Sequence, residues 1–223
     1  MSGDASHDSH CPSPGPTEWG QAIGVGPWQG PWPDDPRYDP DLLRDGDRRN
    51  VVDGYRYWRR DAVVADIDAR RHPLHVGIEN FDHDHNIGTV VRTANAFAVA
   101  EVHIVGRRRW NRRGAMVTDR YQHLRHHCDI AELLEHAEAQ GLTVVAVDNS
   151  PGALRLETAC LPRRCLLLFG QEGPGLTAAA RAGAALTVSI AQFGSTRSIN
   201  AGVAAGIAMH AWIHQHADLG SAW

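Results

Sequence analysis

From residue 73 onward, short apolar runs alternate with helical stretches, and this alternation constrains the fold more than any other feature of the chain. Residues 74–78, 102–105, 142–147, 165–169 and 186–190 are short, mainly apolar runs. Between them, apolar residues recur at three- and four-residue spacings, which predicts helices over 86–98, 130–140, 176–182 and 198–215. In the first of these, Val90, Val91, Ala94 and Phe97 share a face, and Gly141 closes the second. Strands that are apolar throughout have no solvated face. The expected fold is therefore α/β, a mainly parallel sheet with helices on both faces.

Upstream of this pattern, residues 1–38 are rich in Pro, Gly, Ser and Asp and read as a flexible arm with little regular structure. Trp19, Trp28 and Trp32 are unusual in such an arm and mark it as anchored, on the globular part or on a second subunit. Residues 39–72 read as a helical extension. Val51, Val52, Tyr55, Trp58, Val63, Val64 and Ile67 predict a helix over 47–70. The remaining 73–223 is the sheet domain.

Composition narrows the chemistry. All 22 basic residues are arginine, so a P-loop lysine, a Schiff-base lysine and a lysine general base are excluded. The four cysteines form no C-x-x-C pair and read as buried, reduced thiols. The N-terminal stretch lacks the basic and apolar regions of a signal peptide. No run approaches the roughly 18 apolar residues of a membrane span. A cytoplasmic protein is expected.

In an open parallel sheet, ligands sit at the loops beyond the C-terminal strand ends. Three such loops carry polar residues. The first runs from Glu79 to Gly88 and leads to Arg92, with Asp84 or Asn86 as candidate helix caps. His83 and His85 alternate with aspartates there, but no third or fourth ligand follows at useful spacing, so no metal is expected. The second loop, Gly170-Gln-Glu172-Gly-Pro-Gly175, reverses the usual dinucleotide glycine spacing and places an acid where a phosphate would sit. The third spans residues 191–200 and opens a helix of small residues suited to close approach, in the core or against a second subunit.

One further segment stands out in a chain of net charge −4. Residues 106–127 hold Arg107, Arg108, Arg109, Arg112, Arg113, Arg120 and Arg125 against the single acid Asp119. Trp110 and Tyr121 are interleaved, and His123, His126 and His127 follow. Arginines with aromatics suit phosphate contacts and base stacking, so RNA is the favoured partner of this segment, with a solvated loop as the alternative.

Taken in order, the three loops resemble the signature motifs of the SpoU (TrmH-like) branch of the SPOUT RNA methyltransferases. Asn86-Ile-Gly-Thr-Val-Val-Arg92-Thr-Ala-Asn-Ala-Phe97 resembles the first motif. Leu167-Leu-Phe-Gly170-Gln-Glu172-Gly-Pro-Gly175-Leu176 resembles the second, and the stretch from Ile190 through Gly194, Ser198 and Asn200 to Ile207 the third. Two positions depart from the family pattern, Ala191 in place of proline and Ile199 in place of leucine, and both remain apolar. The N-terminal substrate-binding domain of some ribosomal-RNA members has no counterpart.

The resemblance implies a C-terminal trefoil knot, which general topology rules would not predict. It also implies an obligate homodimer, S-adenosylmethionine as cofactor, and methyl transfer to a ribose 2′-hydroxyl of tRNA or rRNA, with no metal and no membrane involved. By resemblance, Leu168, Gly170, Ile190, Gln192 and Ile199 cradle the adenosyl part. Asn86, Arg92, Glu172, Ser198 and Asn200 surround the reacting ribose, with Arg92 as the family's catalytic candidate. Arg107, Arg108, Arg109, Arg112, Arg113 and Arg120 are the RNA-binding candidates. A non-catalytic RNA-binding protein of the same fold and a base-methylating relative remain as alternatives. A nicotinamide oxidoreductase is disfavoured by the missing G-x-G-x-x-G.

Overall fold

The computed structural model describes residues 24–80 and 86–221. The chain divides after Trp58 into two compact units. Trp19, Cys11, His83 and His85 lie outside the described residues.

The first unit is organised by one carboxylate. Asp47 is fully buried. Its oxygens accept hydrogen bonds from the Arg49 N–H (3.0 Å), the Arg49 guanidinium (2.9 and 2.6 Å) and the Tyr57 N–H (2.9 Å). The Asp47 backbone pairs with Val25, and Trp28 packs edge-on against Tyr38 and Tyr57. Trp28 thus anchors the described part of the arm inside its own unit, whereas Trp32 is exposed. Helix α1, Pro40–Asp45, is capped by Asp39.

The helix expected over 47–70 forms only in its second half, as α2, Arg60–Asp68. Residues 47–59 instead wrap around the Asp47 carboxylate, with a 3-10 turn at Asp53–Tyr55 and Tyr57 at φ 64°. Backbone N–H groups drawn to a buried carboxylate are unavailable to a helix ladder. Here the helical spacing of apolar residues reflects packing of a folded loop.

The second unit, beginning at Arg59, is a seven-stranded sheet in the order β3-β2-β1-β6-β4-β7-β5, parallel throughout. Its strands are β1 His72–Asn80, β2 Val99–Gly106, β3 Leu124–His127, β4 Thr143–Val147, β5 Leu154–Arg155, β6 Cys165–Phe169 and β7 Leu186–Ser189. Helices α3 Ile87–Ala96, α4 Ile130–Ala139, α5 Ala178–Gly183 and α6 Ala201–His216 complete it.

Strand alternation sorts the core into two layers. Leu167 and Phe169 pack with Val90, Val91 and Ala94 of α3 and Ala205, Met209 and Trp212 of α6. Leu166 and Leu168 pack with Leu133 of α4 and Ala180 of α5. Both faces of the sheet are covered, as the apolar strands require.

Two strands escaped the sequence pattern. β5 is only two residues long, and β3 reads Leu-Arg-His-His, a half-exposed edge strand with no apolar run. The latter takes up the end of the basic segment, and Tyr121, ahead of it, is buried and offers no stacking face. Of the described cysteines only Cys165 is buried, where desolvation pushes its thiol up to about 12, while Cys128 and Cys160 are exposed. No helix among the described residues is long and apolar enough to cross a membrane.

The Asp47 cluster makes a prediction. Burial alone would raise this carboxyl, but the Arg49 guanidinium and the Arg49 and Tyr57 N–H groups outweigh it and hold it below the usual carboxylate range. A carboxyl lowered in the folded state stabilises above its unfolded value of about 3.9 and loses that contribution as pH falls through the folded value. Asp47→Asn should cost the first unit about 2–3 kcal/mol. Hydrogen exchange should then show residues 24–58 losing protection while the sheet keeps it. Unchanged exchange over 24–58 would contradict this role.

Candidate active site

Because every strand runs the same way, the loops after β1, β4, β6 and β7 emerge at one edge of the sheet. Buried polar contacts fix them there. Glu79, near the end of β1, is 1% exposed and accepts from the Thr177 N–H (2.8 Å) and hydroxyl (2.6 Å). Thr177 also caps α5. The loop after β6 is therefore tied to β1 at its exit. At its entrance Gly170 passes so close to Gly175 and Leu176 that a Cβ would lie 2.1 Å from the Gly175 carbonyl carbon, and Gln171 and Gly175 bridge each other. The reversed glycine spacing thus serves a backbone turn folded onto itself.

Three motif side chains meet at this edge. The Asn86 amide donates to the Glu172 carboxylate. The Asn200 amide donates to Asn86 Oδ1 at 2.8 Å and to Glu172 Oε2 at 3.1 Å. Asn200 Oδ1 accepts from the Gly202 and Val203 N–H groups and so caps α6. Asn86 occupies the cap position of α3, but its side chain makes no capping bond and is spent on the cluster. Asn200 is thus both cap and cluster member, whereas Asn86 only looks like a cap in sequence.

Beside the cluster lies an open cleft of about 120 Å³. Of the expected cofactor residues, Gly170, Ile190, Gln192 and Ile199 line it, together with Ser198. Leu168 does not, because its side chain is buried against the α4 layer. Phe169, Leu176, Ile190 and Ile199 give the cleft apolar walls, and Asp148, Asn149 and Gln192 give it polar groups. Gln192 Oε1 is buried with no hydrogen-bond partner among the described residues. An unpaired buried acceptor in a cleft is the mark of a site that expects a donor from a ligand. Such a mixture fits a nucleoside-bearing cofactor. Asp148 and Asn149 were missed in the sequence, although a polar pair directly after an apolar strand was the available signal.

Arg92 projects from α3 into solvent with no partner among the described residues, and no contact joins it to the Asn86–Glu172–Asn200 cluster. Arg107, Arg108, Arg109, Arg112, Arg113 and Arg120 are all exposed. Their segment is held at its base by Asn80, whose amide donates to the Arg107 and Arg109 carbonyls at 2.6 and 3.1 Å. It is held again where Gly88 of α3 meets Gly114, leaving no room for a Cβ. Arg112 pairs with Asp119 and lies 5.6 Å over the Trp110 ring.

Residues 73–210 match the model of the SpoU rRNA methylase family. The tRNA (guanosine(18)-2′-O)-methyltransferase of Escherichia coli K12 is 30% identical over 165 residues, 72% of each chain. The A. aeolicus TrmH/SpoU tRNA modifying enzyme superposes with a TM-score of 0.63 at 20% identity, covering 70% of this chain and 82% of that one. The SpoU methyltransferase AviRb from Streptomyces viridochromogenes, solved with AdoMet, gives a TM-score of 0.60 at 23% identity, over 67% and 60%. The match spans the sheet, all three motif loops and most of α6, so the chain belongs to the SpoU rRNA methylase family.

Proposed function

We propose that the protein methylates a ribose 2′-hydroxyl of tRNA or rRNA, with S-adenosylmethionine as donor. The observation that carries this reading is the convergence of Asn86, Glu172 and Asn200, from three separate loops, beside a cleft whose buried Gln192 oxygen lacks a partner. The curated relative named for guanosine 2′-O-methylation of tRNA supports the same chemistry.

Bound S-adenosylmethionine would supply an electrophilic methyl group on a sulfonium leaving group. The protein's part is to bind, orient and exclude. Gly170 and the apolar walls admit the adenosyl group close to the backbone, and Gln192 Oε1 accepts a hydrogen bond from it. The backbone at Leu168 contributes by position alone. The Asn86–Glu172–Asn200 cluster, with Ser198 at the cleft mouth, holds the ribose in line for transfer. Arg92 acts as a cation: a guanidinium keeps its charge in proteins, so it binds the RNA phosphate and lowers the proton affinity of the hydroxyl instead of accepting its proton. The exposed arginines from 107 to 120 grip the RNA backbone, and Phe193, 97% exposed, offers a ring for base stacking.

The trefoil knot and the homodimer of the family belong to this proposal. Insertion of β6 between β1 and β4 and the tightly folded 170–176 turn are consistent with the knot. Val203 and Ile207, one turn apart on α6, are 54% and 40% exposed, an apolar strip suited to a second copy. A chain that sediments as a monomer while fully active would contradict the dimer. A cytoplasmic location follows from the RNA substrate.

Incubation with S-adenosylmethionine labelled in its methyl group and bulk tRNA and rRNA, followed by digestion to nucleosides, should yield ribose-methylated nucleosides. Label on a base, or none in RNA despite cofactor binding, would favour the base-methylating or the non-catalytic alternative. Two variants separate the halves of the site. Arg92→Ala should abolish transfer and leave cofactor affinity within about twofold. Gln192→Leu should weaken cofactor binding by about tenfold, one hydrogen bond's worth. Full turnover in Arg92→Ala, or unchanged affinity in Gln192→Leu, would overturn the respective role.

A further inference from the structure

The α4-facing side of the sheet carries a second constellation, away from the cleft. β1, β2 and β3 each place a histidine there, and α4 adds one more. His75 Nδ1 lies 2.9 Å from His103 Nε2, and His103 Nδ1 lies 3.0 Å from His127 Nε2. Glu101 Oε2 is 3.8 Å from both His103 Nε2 and His136 Nε2. The His136 ring centroid is 5.1 Å from that of His103. Two nitrogens in this group, His127 Nδ1 and His136 Nε2, are buried without a hydrogen-bond partner among the described residues.

As plain core packing this arrangement is costly. An unpaired buried polar atom is destabilising, and aliphatic side chains would fill the same space without that cost. Four imidazoles beside a carboxylate, with His136 Nε2 left unpaired, are better explained by a shared ligand. Among the described residues, one ligand atom each from His75, Glu101 and His103 lies within 4.8 Å of the others. We propose that His75, Glu101 and His103, with His136 as fourth donor, bind a divalent transition-metal ion of the Zn²⁺ class.

The geometry suits that ion. Zn–N and Zn–O bonds of about 2.0–2.2 Å put tetrahedral donors roughly 3.3 Å apart. The His75–His103, His103–Glu101 and His136–Glu101 donor pairs, at 2.9, 3.8 and 3.8 Å, lie around this value. His136 must swing inward to complete the set, since the atoms within 4.8 Å of one another are those of His75, Glu101 and His103. The proton arrangement also fits. With His103 Nε2 on the metal, its Nδ1–H donates to His127 Nε2, and the His127 Nδ1–H is left facing Glu132 Oε1, 3.6 Å away. A ligand imidazole backed by a second hydrogen-bonded group is the usual support for a metal. His75 moves its ring proton from Nδ1 to Nε2, so no net charge is created on the protein.

The opposing group is Arg125, whose Nε bonds both Glu101 oxygens at 3.1 Å. Its side chain is 50% exposed and can withdraw into water when the ion takes the carboxylate. None of the four ligands lines the cleft, so the ion would act as a clasp joining β1, β2 and α4, with no part in transfer.

The test uses the full chain, stripped with a chelator and titrated with Zn²⁺ alone by calorimetry, with Co²⁺ as the spectroscopic probe. The expected result is one ion per chain at this site, a raised Tm and the visible absorption of four-coordinate Co²⁺. His75→Gln and His136→Gln should each weaken binding by at least about tenfold while methyl transfer persists. His136 is on a partly exposed helix, so its variant keeps the fold even if changes at the fully buried His103 do not. A variant carrying His83→Ala and His85→Ala should bind as the parent does. No Zn²⁺ binding, binding undiminished in His75→Gln and His136→Gln, or binding abolished in the His83/His85 variant would overturn the proposal.

Discussion

The tie between Glu79 and Thr177 is the constraint on which the site depends. It joins residues 98 apart in the chain, near the end of the first strand and at the first turn of the fifth helix, across the loop that carries Glu172. The carboxylate is buried, so its two hydrogen bonds act without competition from water. The Asn86–Glu172–Asn200 contacts, by contrast, are exposed, and each contributes on the order of 1 kcal/mol. Such bonds cannot by themselves order three loops against the backbone entropy of about 1–2 kcal/mol per residue. The ordering comes from buried anchors: Glu79 on Thr177, Asn80 on the arginine segment, and the backbone packed against Gly170. The polar cluster is then free to be used on a substrate.

Those anchors explain what was legible in the sequence. The alternation after residue 73 showed both the sheet and its helices, because strands covered on both faces are mainly apolar, although β1 and β2 also bury Glu79 and His103. Cys165–Phe169 forms the strand its apolar run implies. The edge strand at Leu124–His127 was hidden, since an edge strand with one solvated face needs no such run. The 47–59 segment misled for the opposite reason: apolar residues at helical spacing were satisfied by wrapping around Asp47.

The site was legible in part. Asparagines and an acid at strand ends look like ordinary caps, and only their order along the chain linked them to a family. Asn86, Glu172 and Asn200 do meet, and Gly170, Ile190, Gln192, Ile199 and Ser198 share the adjoining cleft. Arg92 stands apart from them in this structure. The histidine cluster left no trace in spacing, because His75, His103, His127 and His136 come from four elements.

If the site works as proposed, Asn86 and Glu172, from two separate loops, act as one unit on the ribose. A double-mutant cycle on transfer rate, with Asn86→Ala, Glu172→Ala and the pair, tests it most directly. If the groups act together, each single change removes most of the rate, and the double variant is scarcely slower than the worse single one. Losses that simply multiply would show independent side chains and contradict the account.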